Sequence, residues 1–271
     1  MELNLPLVSD ILTNFISAEV KKVGFNDIVL GLSGGVDSSL AAVLASQALG
    51  TDHVYAYILP YKSSSKESVD DAIMVAEKFK FNYEVIDITP VADSYFEIVG
   101  NDMDNVRRGN VMARIRMFIL FDNSGKNRSL VLGTSNKTEL LLGYGTWYGD
   151  LASSINPLGD LYKTQVWQLS KYLGIPDKIV EKAPTADLWK GQTDESELGF
   201  LYKDIDALLY YMVDERLDHN SLIKLGFQDK MITVIKDRVR RSQFKRQLPV
   251  IAKISLRTID KDFRYCRDWG Y

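Results

Sequence analysis

The feature that most constrains the fold is a glycine-rich loop between a short apolar run and a helical segment. Ile28-Val29-Leu30 has the length of a buried strand, and the apolar segment Leu40–Ala45 predicts a helix that ends at Gly50. At a helix N terminus, unpaired N–H groups and the helix dipole attract anions. The sequence therefore predicts a phosphate site formed by Gly31, Leu32, Ser33, Gly34, Gly35, Val36, Asp37 and Ser38.

Asp37 distinguishes this loop from a standard P-loop, which has a lysine before its last hydroxyl residue. A carboxylate repels phosphate oxygens unless a hard cation lies between them, so Asp37 predicts bound Mg²⁺. Ser33 and Ser38 can donate hydroxyl hydrogen bonds to the same phosphate. The alternative is a tight turn in which a serine caps the helix. That alternative explains one glycine and one serine, but not the whole run of small residues with an aspartate.

Strands and helices alternate along the first part of the chain. The other predicted elements are helices over Ser9–Lys22, with Ser9 as its cap, Lys66–Lys80 and Asn105–Phe121, and strands over His53–Leu59, Tyr83–Ile88 and Leu130–Gly133. Parallel strands require crossover connections, which are usually helices. We therefore expect an α/β fold with a doubly wound, mainly parallel, Rossmann-like sheet that binds ligands at the C-terminal ends of its strands.

After about Asp194 the pattern is helical only. Ile205, Leu208, Leu209 and Met212 share one helix face, which predicts a core or a dimer contact. We expect residues 1–271 to form a single domain. Its α/β nucleotide-binding core covers about 7–190, and its helical C-terminal part covers about 194–271.

Composition excludes several classes of partner. The 33 lysines and arginines nearly balance the 36 aspartates and glutamates, so no overall field attracts nucleic acid or an anionic membrane. Cys266 is the only cysteine, which excludes a disulfide within the chain, and with His53 and His219 it is too isolated for a structural zinc site. No segment approaches the roughly 18 apolar residues of a membrane span. We expect a soluble, cytoplasmic protein.

The segment Ser33–Ser38 resembles the pyrophosphate-binding loop of the N-type ATP pyrophosphatases, whose fold is adenine nucleotide hydrolase-like. Further segments, in the same order, resemble the NAD synthetases: Leu59-Pro60-Tyr61, Gly133–Glu139, Tyr148-Gly149-Asp150, Ile155–Leu158 and Ala183–Leu188. The resemblance implies ATP-dependent amidation of deamido-NAD (nicotinate adenine dinucleotide) to NAD, through an acyl-adenylate, with release of AMP and pyrophosphate. This is the last step of NAD biosynthesis. No protein nucleophile is implied.

The resemblance also implies roles for residues outside the loop. Thr134, Lys163 and Thr185 would contact ATP, and Glu139 would join Asp37 at magnesium. The alternative for Glu139 is that the first turn of a helix simply favours an acidic residue. The alternative for Lys163 is that it is a solvated lysine.

Arg114 matches the segment that holds the dinucleotide, whereas Arg107, Arg108 and Arg116 are interpreted as surface or interface charges. The chain departs from the common family pattern at three places in the dinucleotide site. Trp147 stands where many members have a lysine, Ser154 replaces an aspartate, and Phe244, followed by Lys245, replaces a histidine. We expect a deamido-NAD site of Arg114, Trp147, Ser154, Phe244 and Lys245, in which aromatic stacking replaces charge.

By analogy with the family, the protein is expected to be a homodimer with the dinucleotide at its interface. Ammonia is the expected nitrogen donor, because two-domain relatives that use glutamine carry their cysteine in an additional N-terminal domain, whereas this fold begins near residue 7. Lys190–Glu195 is either a lid or an ordinary surface loop. Two rival functions remain open. One is a pyrophosphatase-loop enzyme that amidates another acid or modifies a tRNA base, and the other is a non-enzymatic nucleotide-binding regulator.

Overall fold

A four-stranded parallel sheet forms the centre of the computed structural model, which describes residues 2–100, 102–185, 193–259 and 262. The strands are β1 Asp27–Gly31, β2 Val54–Ile58, β3 Asn82–Val85 and β4 Ser129–Val131, in the spatial order β3-β2-β1-β4. The chain moves outward from β1 to β3 and then returns to the other side of β1. Open α/β sheets bind ligands at such a reversal. The predicted parallel α/β fold is confirmed.

Helices cover the sheet and continue beyond it. They are α1 Leu5–Lys22, α2 Val36–Leu49, α3 Lys66–Phe79, α4 Thr89–Val99, α5 Asn105–Asn127, α6 Lys137–Leu142, α7 Lys163–Tyr172, α8 Asp177–Val180, α9 Asp194–Leu198, α10 Tyr202–Leu209, α11 His219–Lys224 and α12 Asp229–Arg241. None of the helices in the described ranges is long and apolar enough to cross a membrane.

Both faces of the central strand β1 are buried, whereas the edge strand β3 is exposed. Ile28 and Leu30 point to one face, where they pack in a cluster with residues of α1, α2, α3 and α7. Val29 points to the opposite face and packs in a second cluster with residues of α4 and α5, including Phe96 and Met112. Adjacent strand residues alternate between faces, so a continuous apolar run is what a doubly covered strand requires.

Several predicted boundaries are wrong. The first helix begins at Leu5, and its cap is Asn4, whose Oδ1 accepts the N–H of Leu7 at 3.3 Å. Ser9 is a buried residue within that helix rather than its cap. The apolar periodicity therefore marked where the buried face starts, not where the helix starts. Helix α4 was not predicted, and α5 extends six residues beyond Phe121 to Asn127.

The C-terminal helices have a hydrophobic cluster of their own. Ile205, Leu208 and Leu209 are fully buried there, and Met212 is half-buried against them, so this apolar face belongs to the core. The division into an α/β core and a helical part remains a prediction. Of the proposed lid, Lys190–Gln192 lies outside the described residues, whereas Asp194 and Glu195 begin α9.

Candidate active site

A cavity of about 560 Å³ opens at the C-terminal edge of the sheet, beside the reversal between β1 and β4. All of the residues predicted to contact ATP or magnesium line it: Gly31, Leu32, Ser33, Gly34, Gly35, Val36, Asp37, Ser38, Thr134, Glu139, Lys163 and Thr185. The structure thus brings together positions that lie up to 154 residues apart in the sequence.

The glycine loop approaches the backbone of α3 closely. Gly34 has a φ of +80°, and a Cβ atom built on it would lie 2.2 Å from the carbonyl oxygen of Ser68. Both the left-handed conformation and the close approach require glycine at this position. Gly35 follows as the N-cap of α2 and provides no side-chain cap, so the first N–H groups of α2 remain available to an anion.

Hydrogen bonds inside the loop fix its shape before any ligand binds. The Oγ atoms of Ser33 and Ser38 are 3.0 Å apart, and the Ser38 Oγ accepts the Ser33 N–H at 3.2 Å. The Ser38 hydroxyl also donates to the carbonyl of Gly35 at 3.1 Å. Such a loop presents its donors to a phosphate without a large ordering cost.

Lys163 lies between two carboxylates at the base of the cavity. Its Nζ is 2.5 Å from Asp37 Oδ2 and 3.3 Å from Glu139 Oε1, and its side chain is only 4% exposed. Each residue comes from the first turn of a different helix, α7, α2 and α6. A lysine that is nearly buried and ion-paired in this way is not a solvated surface lysine.

Burial and charge shift the titration of this cluster. Burial and the neighbouring Asp37 raise the pKa of Glu139 to about 8. Burial alone would lower the pKa of Lys163, but Asp37 and Glu139 raise it above its ordinary value, so the lysine stays protonated. Two half-buried carboxylates thus share one ammonium group and favour additional positive charge nearby.

Asn136 is a site residue that the sequence analysis did not assign. Its Nδ2 donates to Asp37 Oδ1 at 2.8 Å, while its Oδ1 accepts the Glu139 N–H at 3.0 Å. The Glu139 side chain accepts the Asn136 N–H in return, which completes a capping box at the start of α6. The spacing Asn-x-x-Glu is the sequence signal that could have identified this role.

The carboxylates fit a magnesium ion. Asp37 and Glu139 offer oxygen ligands, which Mg²⁺ prefers, in a cluster that lacks positive charge for both carboxylates. Within the described ranges, no group of three or more His, Cys, Asp or Glu side chains is arranged to hold a metal. This arrangement suits Mg²⁺ held by one or two carboxylates together with substrate phosphates, rather than by an all-protein cage.

The predicted dinucleotide residues are only partly brought to this cavity. Lys245 lines it, but its Nζ donates to the carbonyls of Gly143 and Gly145 at 2.8 and 2.7 Å. Ser154 does not line it, because its Oγ accepts the backbone N–H of Val131 and so supports β4.

Arg114, Trp147 and Phe244 form a neighbouring cluster outside the cavity wall. The Arg114 Nη2 donates to the carbonyl of Trp147 at 3.3 Å. The Trp147 ring stacks on Tyr148 at 4.4 Å and contacts Phe244 edge-on at 5.4 Å. Ala113 lines the cavity, and the next residue along a helix points about 100° away, so Arg114 faces sideways from it.

Two further residues of the cavity wall were missed. Arg116, interpreted from the sequence as a surface charge, lines the cavity, and its Nε donates to the carbonyl of Leu59 at 2.9 Å. Asp194 also lines the cavity and is buried, and it accepts hydrogen bonds from the hydroxyls of Tyr144 and Tyr202. No local sequence signal distinguishes Asp194 from the neighbouring acidic residues of α9.

Known proteins match the chain over nearly its whole length. The NAD synthase family model matches residues 8–249. The NH(3)-dependent NAD(+) synthetase of Trichlorobacter lovleyi is 55% identical over 270 residues, which cover 100% of this chain and 98% of that protein.

Two solved structures share the fold. NMN synthetase from Francisella tularensis has a TM-score of 0.83 at 33% identity and covers 93% of this chain and 99% of its own. The NH3-dependent NAD synthetase from Campylobacter jejuni has a TM-score of 0.80 at 33% identity and covers 93% of this chain and 100% of its own. With the glycine loop, the acidic pair and this full-length similarity, the chain belongs to the NAD synthase family.

Proposed function

We propose that this chain is a ligase that amidates deamido-NAD with ammonia, using ATP, and so completes NAD biosynthesis. One observation carries the proposal: the glycine loop and the Asp37–Lys163–Glu139 cluster line the same cavity at the ligand-binding edge of the sheet. Relatives named NH(3)-dependent NAD(+) synthetase, which match almost end to end, support ammonia as the nitrogen donor.

The chemistry requires activation of the acid. A carboxylate does not expel oxide, so a nicotinate oxygen attacks the α-phosphorus of ATP, the bond from that phosphorus to the β-phosphate bridging oxygen breaks, and pyrophosphate leaves. Ammonia then attacks the carbonyl carbon of the acyl-adenylate, loses a proton to solvent and displaces AMP. Positioning and charge neutralisation can drive both steps without a protein nucleophile.

The residues of this chain supply that positioning. The N–H groups at the start of α2, with the Ser33 and Ser38 hydroxyls, bind the departing pyrophosphate. Lys163 keeps its proton and orients the two carboxylates. Thr134 and Thr185 lie on the cavity wall, where we assign them to ATP.

Asp37 and Glu139 would hold Mg²⁺. When bound, the ion neutralises phosphate charge that the carboxylates would otherwise repel. Asn136 fixes the Asp37 side chain, because its Nδ2 donates to Asp37 Oδ1, and it caps the helix that carries Glu139.

For deamido-NAD we propose Arg114, Trp147, Phe244 and Lys245, with Ser154 supporting the wall through β4. Helix α5, which carries Arg114, also exposes apolar side chains outside the cavity: Phe118 is 65% exposed and Phe121 is 40% exposed. These side chains support a homodimer in which this face of α5 is covered. We also propose a cytoplasmic location, which is typical of chains with so few cysteines.

A second candidate is amidation of nicotinate mononucleotide. The similarity to NMN synthetase from Francisella tularensis favours it, and the departures at Trp147, Ser154 and Phe244 fall in the dinucleotide site. The two acids share the nicotinate ribose phosphate and differ in the additional AMP moiety of deamido-NAD.

The test is incubation of the protein with ATP, Mg²⁺, ammonium chloride and either acid, followed by chromatography of the products and phosphorus NMR. We expect NAD, AMP and pyrophosphate, with a higher kcat/KM for deamido-NAD than for the mononucleotide. A higher kcat/KM for the mononucleotide would select the second candidate. ADP with orthophosphate would exclude both. Ammonia-free glutamine in place of ammonium tests the nitrogen donor, and we expect it to give no NAD.

A further inference from the structure

A buried aspartate on α3 joins two lysines beside the glycine loop. The Asp71 side chain is 1% exposed, and its two oxygens bind different ammonium groups. Lys178 Nζ lies 2.8 Å from Oδ1, and Lys182 Nζ lies 2.9 Å from Oδ2. Lys178 also pairs with Glu67, whose Oε1 lies 3.4 Å from its Nζ, so two carboxylates face two ammonium groups in this cluster.

Only Lys182 of these lysines lines the cavity. Its Nζ is 3.3 Å from the Oγ of Ser68. The carbonyl oxygen of Ser68 is the atom that a Cβ built on Gly34 would meet first. An ammonium group has three donors. Asp71 and Ser68 accept two of them, so the third can donate to a phosphate oxygen at the loop.

The negative charge of pyrophosphate favours a cation near the glycine loop in addition to Lys163. Lys163 is paired with both Asp37 and Glu139, and even with Glu139 neutral this cluster has no net positive charge. Pyrophosphate leaves with several negative charges, which positioned cations stabilise. Lys182 lines the cavity beside Ser68, so it is a cation outside the Lys163 cluster that can supply this charge.

We propose that Lys182 binds the β- and γ-phosphates of ATP, and the pyrophosphate released from them, and that Asp71 is its positioning residue. The proposal rests on the proposed function, since it concerns the same reaction. Asp71 holds the Lys182 ammonium beside the loop, while Lys178, which is 55% exposed, bridges Asp71 and Glu67.

The two lysines provide a matched pair of variants. Lys182→Gln and Lys178→Gln each remove one ion pair with Asp71, and Lys178→Gln also removes the pair with Glu67, but only Lys182→Gln removes a cation from the cavity. Binding of inorganic pyrophosphate with Mg²⁺, measured by calorimetry, needs neither deamido-NAD nor turnover. We expect Lys182→Gln to weaken this binding about 10-fold or more, as loss of a charged hydrogen bond does, and Lys178→Gln to change it less than about twofold.

Asp71→Asn tests the positioning role in a double-mutant cycle. It should weaken pyrophosphate binding in the wild-type background and have no further effect in the Lys182→Gln background. A residue that only stabilises the fold would have the same effect in both backgrounds. If Asp71→Asn does not fold, the lysine pair still decides the matter.

The outcomes separate the two proposals. Equal pyrophosphate affinity of the two lysine variants would overturn the role of Lys182 and leave the proposed function intact. Failure of the unmodified protein to bind pyrophosphate would overturn both. A weaker affinity for Lys182→Gln alone, with a raised KM for ATP, would support the inference.

Discussion

Lys163 Nζ lies 2.5 Å from Asp37 Oδ2, although 126 positions separate the two residues in the sequence. Lys163 is the first residue of α7, where a positive charge opposes the helix dipole. Its pairing with Asp37 and Glu139 offsets both that repulsion and its burial. Such an arrangement is retained for chemistry rather than for stability, because buried ion pairs contribute little net free energy of folding.

Asp37→Asn should abolish turnover and leave the fold intact. The amide retains the size of the side chain and loses the charge needed to hold a cation beside the phosphates. We expect the rate of AMP release to fall at least about 100-fold, as when one preorganised electrostatic group is removed. Thermal unfolding and circular dichroism report on the fold.

Asp27→Asn is the control for this experiment. Asp27 begins β1, the strand that leads into the glycine loop, and lies at the opposite edge of the sheet, where it pairs with His53 at 2.7 Å. Its substitution should leave the rate of AMP release unchanged. A near-normal rate for Asp37→Asn at ordinary Mg²⁺ would show that Asp37 only occupies a helix terminus.

Gly34→Ala should damage both stability and ATP binding, because the new Cβ would meet the carbonyl of Ser68. Gly24→Ala is the matched control. Gly24 has a similar φ of +74°, but nothing lies within 4 Å of its Cβ position. Backbone strain alone costs about 1–3 kcal/mol, so urea unfolding should show a larger loss for Gly34→Ala. Equal losses of unfolding free energy in the two variants would show that the close approach of Gly34 to α3 does not affect stability.

The fold was predictable because its main elements have local signals. The apolar run Ile28–Leu30 is buried on both faces, and the glycine loop must join a strand to a helix. Helix α4 was missed because only Ala92 and Phe96 of its residues are buried, so most of its apolar side chains are exposed and give no clear periodicity.

The site was predictable where a motif is continuous in sequence. Asp37 and Glu139 lie within such motifs, and the structure places both beside Lys163. Asp194 and Lys182 were not assigned, although Lys182 directly precedes the segment Ala183–Leu188 and Asp194 lies in the segment considered as a lid. Their position at the cavity depends on tertiary packing. The sequence predicted a helix around Arg114, and α5 confirms that helix, but the sequence could not give the direction of the Arg114 side chain, which depends on the rotation of α5.

Asp206 should prove essential for the alignment of the site. This fully buried carboxylate on α10 accepts the Thr138 hydroxyl at 2.6 Å and the Thr164 N–H at 2.7 Å. It therefore joins the N-terminal turns of α6 and α7, which carry Glu139 and Lys163. Asp206→Ala leaves both partners unsatisfied and should lower the free energy of unfolding by about 3 kcal/mol.

The measurement for Asp206 is urea unfolding combined with the rate of AMP release. Asp206→Asn keeps one acceptor and one polar donor, so it should recover part of the lost free energy of unfolding and part of the lost rate of AMP release. Asp204→Ala, an exposed aspartate on the same helix, is the control and should change stability by less than about 0.5 kcal/mol. Unfolding of Asp206→Ala that matches this control would contradict the role of Asp206.

Asp71 should make the stability of the protein depend on pH in the acid range. Burial raises the pKa of Asp71, but hydrogen bonds from Lys178 and Lys182 outweigh that effect and hold the pKa below its ordinary value of 3.8. The folded state thus favours the ionised carboxylate. The contribution of this ionised carboxylate to the free energy of unfolding is complete above the pKa that Asp71 has in the unfolded chain. It is lost as the pH falls through the lower pKa of the folded state.

The pH dependence is measured as the difference in free energy of unfolding between the wild-type protein and Asp71→Asn. We expect a constant difference of about 1–3 kcal/mol at neutral pH, because the variant loses a charged hydrogen bond from Lys182 and an ion pair with Lys178. The difference should shrink from about pH 5 downward, as the wild-type carboxylate takes up a proton. Asp70→Asn, at the neighbouring exposed position of α3, is the control and should give no such trend. A difference for Asp71→Asn that stays constant down to the acid transition would show that the two lysines do not stabilise the ionised form.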